Sequence, residues 1–219
     1  RGLGLGIAHT FAEQGARVWL IAEDADELER AAGEVAESGG VVEARVVDLT
    51  SLSQIADLTM ELGARAPDLR VVVNNAGVLD RNAMVELDTD RWSHTLAVNL
   101  TAPVVLTRDL LPGLCAGGGA VINVSSRAGI HAFPDQAAYC ASKFGLEAFT
   151  RCLAMEVAGS RISVNSVTPG LRIKPTSVTR ASAEALPAVL RDAWYDPSEL
   201  SPAFLFLAGL RGQVSGYRF

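Results

Sequence analysis

Short apolar runs alternate with amphipathic stretches along the whole chain. Five runs read as strands: residues 17–22 (RVWLIA), 41–48 (VVEARVVD), 69–74 (LRVVVN), 119–125 (GAVINVS) and 161–166 (RISVNS). Several are nearly continuous in Val, Ile and Leu, as strands buried on both faces of a parallel sheet require. Between them the apolar positions recur with helical period, which predicts helices over 6–14, 24–38, 51–66, 88–114 and 137–158. Gly15, Gly39-Gly40, Pro67-Asp68, Gly117-Gly118-Gly119 and Gly159 fall between elements, where turns need them. A last helix is expected to start at Asp196, with Pro197 at its first position and Glu199 supporting a cap. This alternation predicts an α/β fold, a doubly wound, Rossmann-like parallel sheet with right-handed crossovers, in a single domain over 1–219.

Composition narrows the function. The 219 residues are 49% hydrophobic and 20% charged, enough apolar surface for a core and too much for a chain that stays disordered. No apolar run approaches the roughly 18 residues that span a bilayer, and no cationic leader opens the sequence. The formal net charge is −6, and no Lys/Arg cluster interrupts the acidic balance. Neither a nucleic-acid backbone nor a membrane surface is therefore an expected partner. Cys115, Cys140 and Cys152 form no C-x-x-C pair and read as small buried hydrophobes in a reducing cytoplasm. No Cys/His/Asp spacing points to a metal, and His9 and His94 have no inferable partner.

The glycines are more informative. Gly2, Gly4 and Gly6 open the first helix, with Leu3 between the first two. Glycines at a strand-to-helix turn let backbone N–H groups approach a pyrophosphate. Such a turn should follow a strand, and none precedes Arg1. The expectation is that the sheet's central strand belongs to residues before Arg1. Without it the neighbouring strands would carry unpaired backbone groups costing about 1–3 kcal/mol each. Phe219 likewise falls where another strand is expected to begin.

The remaining motifs stand in order along the chain. They are Gly2-Leu3-Gly4, Asn74-Asn75-Ala76-Gly77, Asn99, Ser126, Tyr139-Cys140-Ala141-Ser142-Lys143 and Pro169-Gly170. The set resembles the short-chain dehydrogenase/reductase family, in its single-domain oxidoreductase branch, over essentially the whole chain. The resemblance implies a nicotinamide-dependent oxidoreductase that interconverts a secondary alcohol and a ketone. Tyr139 takes the role of proton donor or acceptor at the substrate oxygen. Ser126 hydrogen-bonds the same oxygen, Lys143 binds the nicotinamide ribose, and Asn99 carries a proton relay through water. Asn75, Ala76 and Gly77 lie beside the cofactor by resemblance, as do Pro169 and Gly170. Asp48 and Leu49 match the acidic position near the adenine, although Asp48 also reads as a simple helix cap.

Elementary electrostatics fits these roles. Tyr139 and Lys143 are i and i+4 and share one helix face. Bringing a phenol from a pKa of ~10 to ~7 takes about 4 kcal/mol. A cation ~4 Å away in an effective dielectric of ~20 supplies about that much. Lys143, helped by an oxidised nicotinamide, is expected to make the Tyr139 hydroxyl acidic.

Cofactor choice rests on the end of the strand over 17–22. The family's usual acidic position falls on Ala22, and Glu23 follows it. A carboxylate there opposes a 2′-phosphate, whereas Arg1, just before Gly2, attracts one. The balance favours NAD over NADP; Glu23 as a solvated loop charge stays open. Substrate walls are expected from Ala128, His131 and Phe133, together with Ser126 and Tyr139. The family often places Thr where this chain has Lys174, with Thr176 two residues on. The segment over 176–193 reads as a lid. Arg172, Lys174 and Arg180 within or beside it fit an anionic substrate or plain loop charges, and Trp194 and Tyr195 line the pocket or pack under the lid.

Two rivals remain. A 3-oxoacyl carrier-protein reductase should carry basic residues around the pocket to meet its acidic partner, and Ala120 stands where one would help. A non-catalytic nicotinamide sensor or scaffold typically lacks the Tyr or Lys, both present here. The resemblance also implies a homodimer or homotetramer built through the helices that hold Asn99 and Tyr139.

Overall fold

The computed structural model describes residues 2–170 and 195–219. The chain divides into two compact units, Arg1–Val46 with Pro169–Leu205, and Val47–Thr168 with Phe206–Phe219.

In the first unit, α1 (Gly2–Glu13), β1 (Arg17–Ala22), α2 (Ala25–Glu37) and β2 (Val41–Val46) follow one another. The strands β1 and β2 pair in parallel, from Arg17 opposite Val41 to Ala22 opposite Val46. Ala8 and Ala12 of α1 meet Val35 of α2 over Val18, Leu20 and Val42 of the strands. Asp24 starts α2 as its N-cap, accepting a hydrogen bond from the Glu27 N–H at 2.9 Å. The turn at Pro197–Leu200 lies against α1, so closely that a Cβ on Gly6 would sit 2.8 Å from Ser201 Oγ.

The second unit holds α3 (Leu52–Arg65), β3 (Val71–Asn74), α4 (Thr89–Leu96), α5 (Ala102–Gly117), β4 (Gly119–Val124), α6 (Ala137–Glu156) and β5 (Ile162–Val167). Its sheet is parallel in the order β3-β4-β5. Every residue of β4 and β5 is buried, as their near-continuous apolar sequence demands. Leu114, Val121, Leu153, Ile162 and Val164 form its core. The last residues run alongside β5: the Thr168 N–H donates to the Phe219 carbonyl at 2.8 Å, and the Phe219 N–H to the Ser166 carbonyl at 2.9 Å. A chain of buried amides and hydroxyls crosses this sheet. Asn74 Nδ2 donates to Asn123 Oδ1 at 2.7 Å and to Thr107 Oγ1 at 3.2 Å; Asn123 Nδ2 donates to Thr150 Oγ1 at 2.8 Å. Each pairing ties a strand end to its neighbour or to a helix, just below the loops that carry Asn75 and Ser126.

Five parallel strands therefore form where the hydrophobic pattern places them. The differences lie at helix boundaries. The first helix begins at Gly2, four residues before expectation. The helix expected over 88–114 is two, α4 and α5, joined by a π turn at Ala97–Thr101. Pro103 supplies the reason: it has no N–H for the Asn99 carbonyl, and the ladder slips so that the Ala102 N–H donates to Ala97 O. Asp196 caps as expected, with Glu199 completing a capping box, but the turn it starts at Pro197–Leu200 is 3-10, and α7 (Ser201–Ala208) begins only after it. No described helix is long and apolar enough to cross a membrane.

Candidate active site

Tyr139 lies in the first turn of α6 and Lys143 one turn further, on the face that the helix buries. Asp135 prepares that start with a left-handed backbone, φ 60°, and its carbonyl accepts from the Asn82 N–H at 2.9 Å. After β4 the chain leaves the sheet at Ser125, whose N–H donates to Val167 O at 2.8 Å. Ser126 then caps a 3-10 turn, Arg127–Gly129, its Oγ accepting from the Ala128 N–H at 3.1 Å. The turn packs hard against α6. A Cβ on Gly129 would lie 2.8 Å from Ser125 Oγ, 3.0 Å from the Lys143 carbonyl oxygen and 3.1 Å from Glu147 Cγ. Only glycine permits that approach, and it brings Ser126 and Tyr139 side by side, near enough for the Ser126 hydroxyl to act on that of Tyr139.

Burial dominates the electrostatics. It pushes the Tyr139 hydroxyl above its ordinary range; the Ser126 hydrogen bond pulls it down and Cys140 adds to the rise. The acidic phenol expected of the nucleotide-bound site is thus not a property of the free protein. Lys143 is buried too, 4% exposed, and desolvation draws its ammonium down to about 8, against the pull of Glu147. Its Nζ donates to the Val124 carbonyl at 2.8 Å and lies 5.9 Å from the centre of the Tyr139 ring. The cation is thus drawn toward the strand, and without a bound nucleotide its attraction does not outweigh the desolvation of the phenol.

Asn99 sits in the π turn with no exposure. Its Oδ1 accepts from the Val78 N–H at 2.8 Å, and its Nδ2 donates to Val78 O at 2.9 Å and to Ser142 Oγ at 3.1 Å. Ser142 in turn donates to Tyr139 O at 2.7 Å. The side chain therefore clamps the loop after β3 and joins it to α6. Gly77 of that loop faces the same place, where a Cβ would stand 3.3 Å from Asn99 Oδ1 and 3.6 Å from Lys143 Nζ. Asn99, Gly77, Ser126, Tyr139 and Lys143 are brought together; Asn75, half-buried, and exposed Ala76 precede Gly77 on the same loop.

The other expected residues have surroundings of their own. Asp48 accepts from the Thr50 N–H at 2.8 Å and Oγ1 at 2.7 Å, bonds that hold its carboxyl below the usual range. Its carboxylate is engaged as a local cap, with half-buried Leu49 beside it. Ala128 is buried at 2% exposure, and His131 is exposed. Phe133 carries the Arg127 guanidinium 5.5 Å above its ring and lines a cavity of about 520 Å³ with Arg81, Asn82, Glu86 and Gln136. In the first unit, Gly2 starts α1 with φ 58°, buried Leu3 and half-buried Gly4 follow, and Glu23 is exposed just past β1. Pro169 and Gly170 belong to that unit also. Arg1, Arg172, Lys174, Thr176, Arg180 and Trp194 lie outside the described residues, as does the segment read as a lid. Tyr195 is 47% exposed. Sequence reasoning passed over Gly129 and Glu147, and gave Ser142 no role beyond its place in the motif. Only Glu147 carried a signal, its place four residues beyond Lys143.

A family model described as short chain dehydrogenase matches residues 1–186. D-beta-hydroxybutyrate dehydrogenase of Rhizobium meliloti strain 1021 is 36% identical over 177 residues, covering 80% of this chain and 69% of the relative. The 3-oxoacyl-(acyl-carrier-protein) reductase FabG of Chlamydia muridarum is 31% identical, covering 98% and 90%. Among solved structures, a protein of Beutenbergia cavernae assigned as an NAD(P)-dependent gluconate 5-dehydrogenase, with bound NADP, superposes with a TM-score of 0.87 at 32% identity, covering 100% of this chain and 90% of that one.

Proposed function

The chain belongs to the short-chain dehydrogenase/reductase family, whose members act on CH–OH and carbonyl groups with NAD(P), and on that premise we propose that it interconverts a secondary alcohol and a ketone through proton transfer at Tyr139. One observation carries the reading: the Tyr139 and Ser126 hydroxyls lie close enough to act on each other, one helical turn from a buried lysine.

The residues present fit a nicotinamide nucleotide. A lysine ammonium has three N–H donors, and one goes to Val124 O, so Lys143 retains donors for ribose hydroxyls. The missing side chain of Gly77 keeps space open 3.6 Å from that nitrogen. Lys143, Asn75, Ala76 and Gly77 would hold the nicotinamide end. Gly2, Leu3, Gly4, Pro169 and Gly170 would contribute through the first unit, and Asp48 and Leu49 near the adenine. Glu23 supports a preference for NAD, because the Asp24 carboxylate is engaged at its cap and Glu23 is exposed beside it.

When bound, the nicotinamide gives or takes the hydride at the substrate carbon. Tyr139 gives its hydroxyl proton to the carbonyl oxygen in reduction and takes the alcohol proton in oxidation. Ser126 donates a hydrogen bond to that same oxygen and fixes its position. Lys143 stabilises the phenolate form of Tyr139 by its charge. Asn99 keeps the loop after β3 and the start of α6 in register.

The likeness to the carrier-protein reductase favours a second reading, a thioester-linked 3-oxoacyl substrate. Against it, Ala120 is buried at 1% exposure and presents no basic group. A panel of ketones and alcohols, followed by the absorbance of reduced nicotinamide, tests both readings. Tyr139→Phe should lose turnover by orders of magnitude and keep nucleotide binding. Near-normal turnover in that variant, or nucleotide binding by the parent with no turnover on any substrate, would refute the reading.

A further inference from the structure

A carboxylate behind Lys143 has no part in the proton transfer described above. Glu147 lies one turn beyond Lys143 on α6 and is 3% exposed. Its Oε1 accepts a hydrogen bond from Ser166 Oγ of β5 at 3.0 Å. Gly129, on the turn that carries Ser126, packs against its Cγ. Helix, strand and turn thus hold the side chain in place. A buried carboxylate that receives a neutral hydroxyl is costly unless a cation shares its surroundings. Lys143, one turn before it, is such a cation; Arg151, one turn beyond, donates from Nε to the Glu147 carbonyl at 3.3 Å.

We propose that Glu147 is a positioning residue for the reaction: its carboxylate, fixed by Ser166 and Gly129, supplies the negative charge that keeps Lys143 an ammonium beside Tyr139. The proposal rests on the Tyr139 reading and adds to it the group that maintains the lysine's charge.

The surroundings of Lys143 leave this task to Glu147. On α6 the other titratable neighbours are Tyr139, Cys140 and, one turn beyond Glu147, Arg151, a cation that cannot supply the negative charge. The strand β4 offers the Val124 carbonyl, the turn after it Ser125 and Ser126, the π turn the Asn99 amide and β5 the Ser166 hydroxyl. The Arg127 guanidinium lies over Phe133. Among the described residues, Glu147 is the charged side chain whose field acts on Lys143, raising its proton affinity against the burial that lowers it. Without that field Lys143 would lose its proton at a lower pH, and Tyr139 would lose its neighbouring cation within the working range.

The chain has only two lysines, Lys143 and Lys174, which permits a direct test. In the nucleotide-free protein carrying Lys174→Arg and ¹³C-labelled lysine, NMR titration follows Lys143 alone. Glu147→Gln should lower its midpoint by about one pH unit, and the high-pH limb of kcat/KM should move down with it. Should Glu147→Gln fail to fold, Glu147→Asp draws the carboxylate back by one methylene and should shift the midpoint in the same direction, by less. A lysine midpoint unmoved in the folded variant overturns the proposal, even if stability or kcat falls. Failure of the Tyr139 reading would register separately, as turnover retained by Tyr139→Phe.

Discussion

Replacing Lys143 with Met should stabilise the nucleotide-free protein while abolishing its turnover. Burial draws the Lys143 ammonium from 10.5 to about 8. At about 1.4 kcal/mol per unit, holding the charge in the folded site at neutral pH costs about 3 kcal/mol. That figure already contains the favourable pull of Glu147, since the attraction is part of the lysine's own shift. Met has a similar unbranched volume and removes the charge. It also removes the bond to the Val124 carbonyl, at about 1 kcal/mol. The net gain is about 2 kcal/mol at neutral pH, read as a higher midpoint in urea denaturation. The pH dependence has a definite sign. The folded-state value lies below the unfolded one, so between about 8 and 10.5 the unfolded parent binds more protons than the folded parent. Parent stability therefore rises with pH relative to the variant across that window. The advantage of Lys143→Met should be full below about pH 8 and shrink progressively above it. A variant less stable than the parent at neutral pH, or an advantage constant through the window, would refute the reasoning.

Three other substitutions test the remaining assignments. Ser126→Ala should reduce kcat about 10²-fold with nucleotide affinity retained, and a tyrosine titration should find Tyr139 higher still, because Ser126 is the group that lowers it. Asn99→Ala strands the Val78 N–H and carbonyl in a buried setting, and urea denaturation should show a loss of about 2–4 kcal/mol. Glu23→Arg should raise kcat/KM with NADP relative to NAD, measured with one substrate and both cofactors.

The strands were legible because burial on both faces leaves a mark that polar spacing does not obscure. The runs containing Val121 to Val124 and Ile162 to Val167 are fully enclosed. The sequence pattern also marked the candidate cluster: helical spacing puts Lys143 one turn from Tyr139, while Ser126 reaches them only because Gly129 lets its turn pack on α6. The π turn at Asn99 was not legible: one added residue shifts the phase of a helical pattern by less than the scatter of its apolar positions, and the effect of Pro103 depends on which carbonyl it faces. Glu147 went unremarked, because nothing in sequence tells that β5 and Gly129 close over it. The upward shift of Tyr139 in the free protein was not legible for a related reason. Coulomb attraction can be estimated from i, i+4 spacing, but desolvation depends on the surrounding turn and strand, and Val124 draws the lysine away from the phenol.

The phenol itself gives the most direct test of the account. The chain has three tyrosines, Tyr139, Tyr195 and Tyr217, so a spectrophotometric titration of the parent minus that of Tyr139→Phe isolates Tyr139. In the free protein its midpoint should lie above the ordinary tyrosine value. With oxidised nicotinamide nucleotide bound it should fall toward the neutral range, where a phenolate can accept a proton. A midpoint that remains above the ordinary value in the saturated complex would contradict proton transfer through Tyr139.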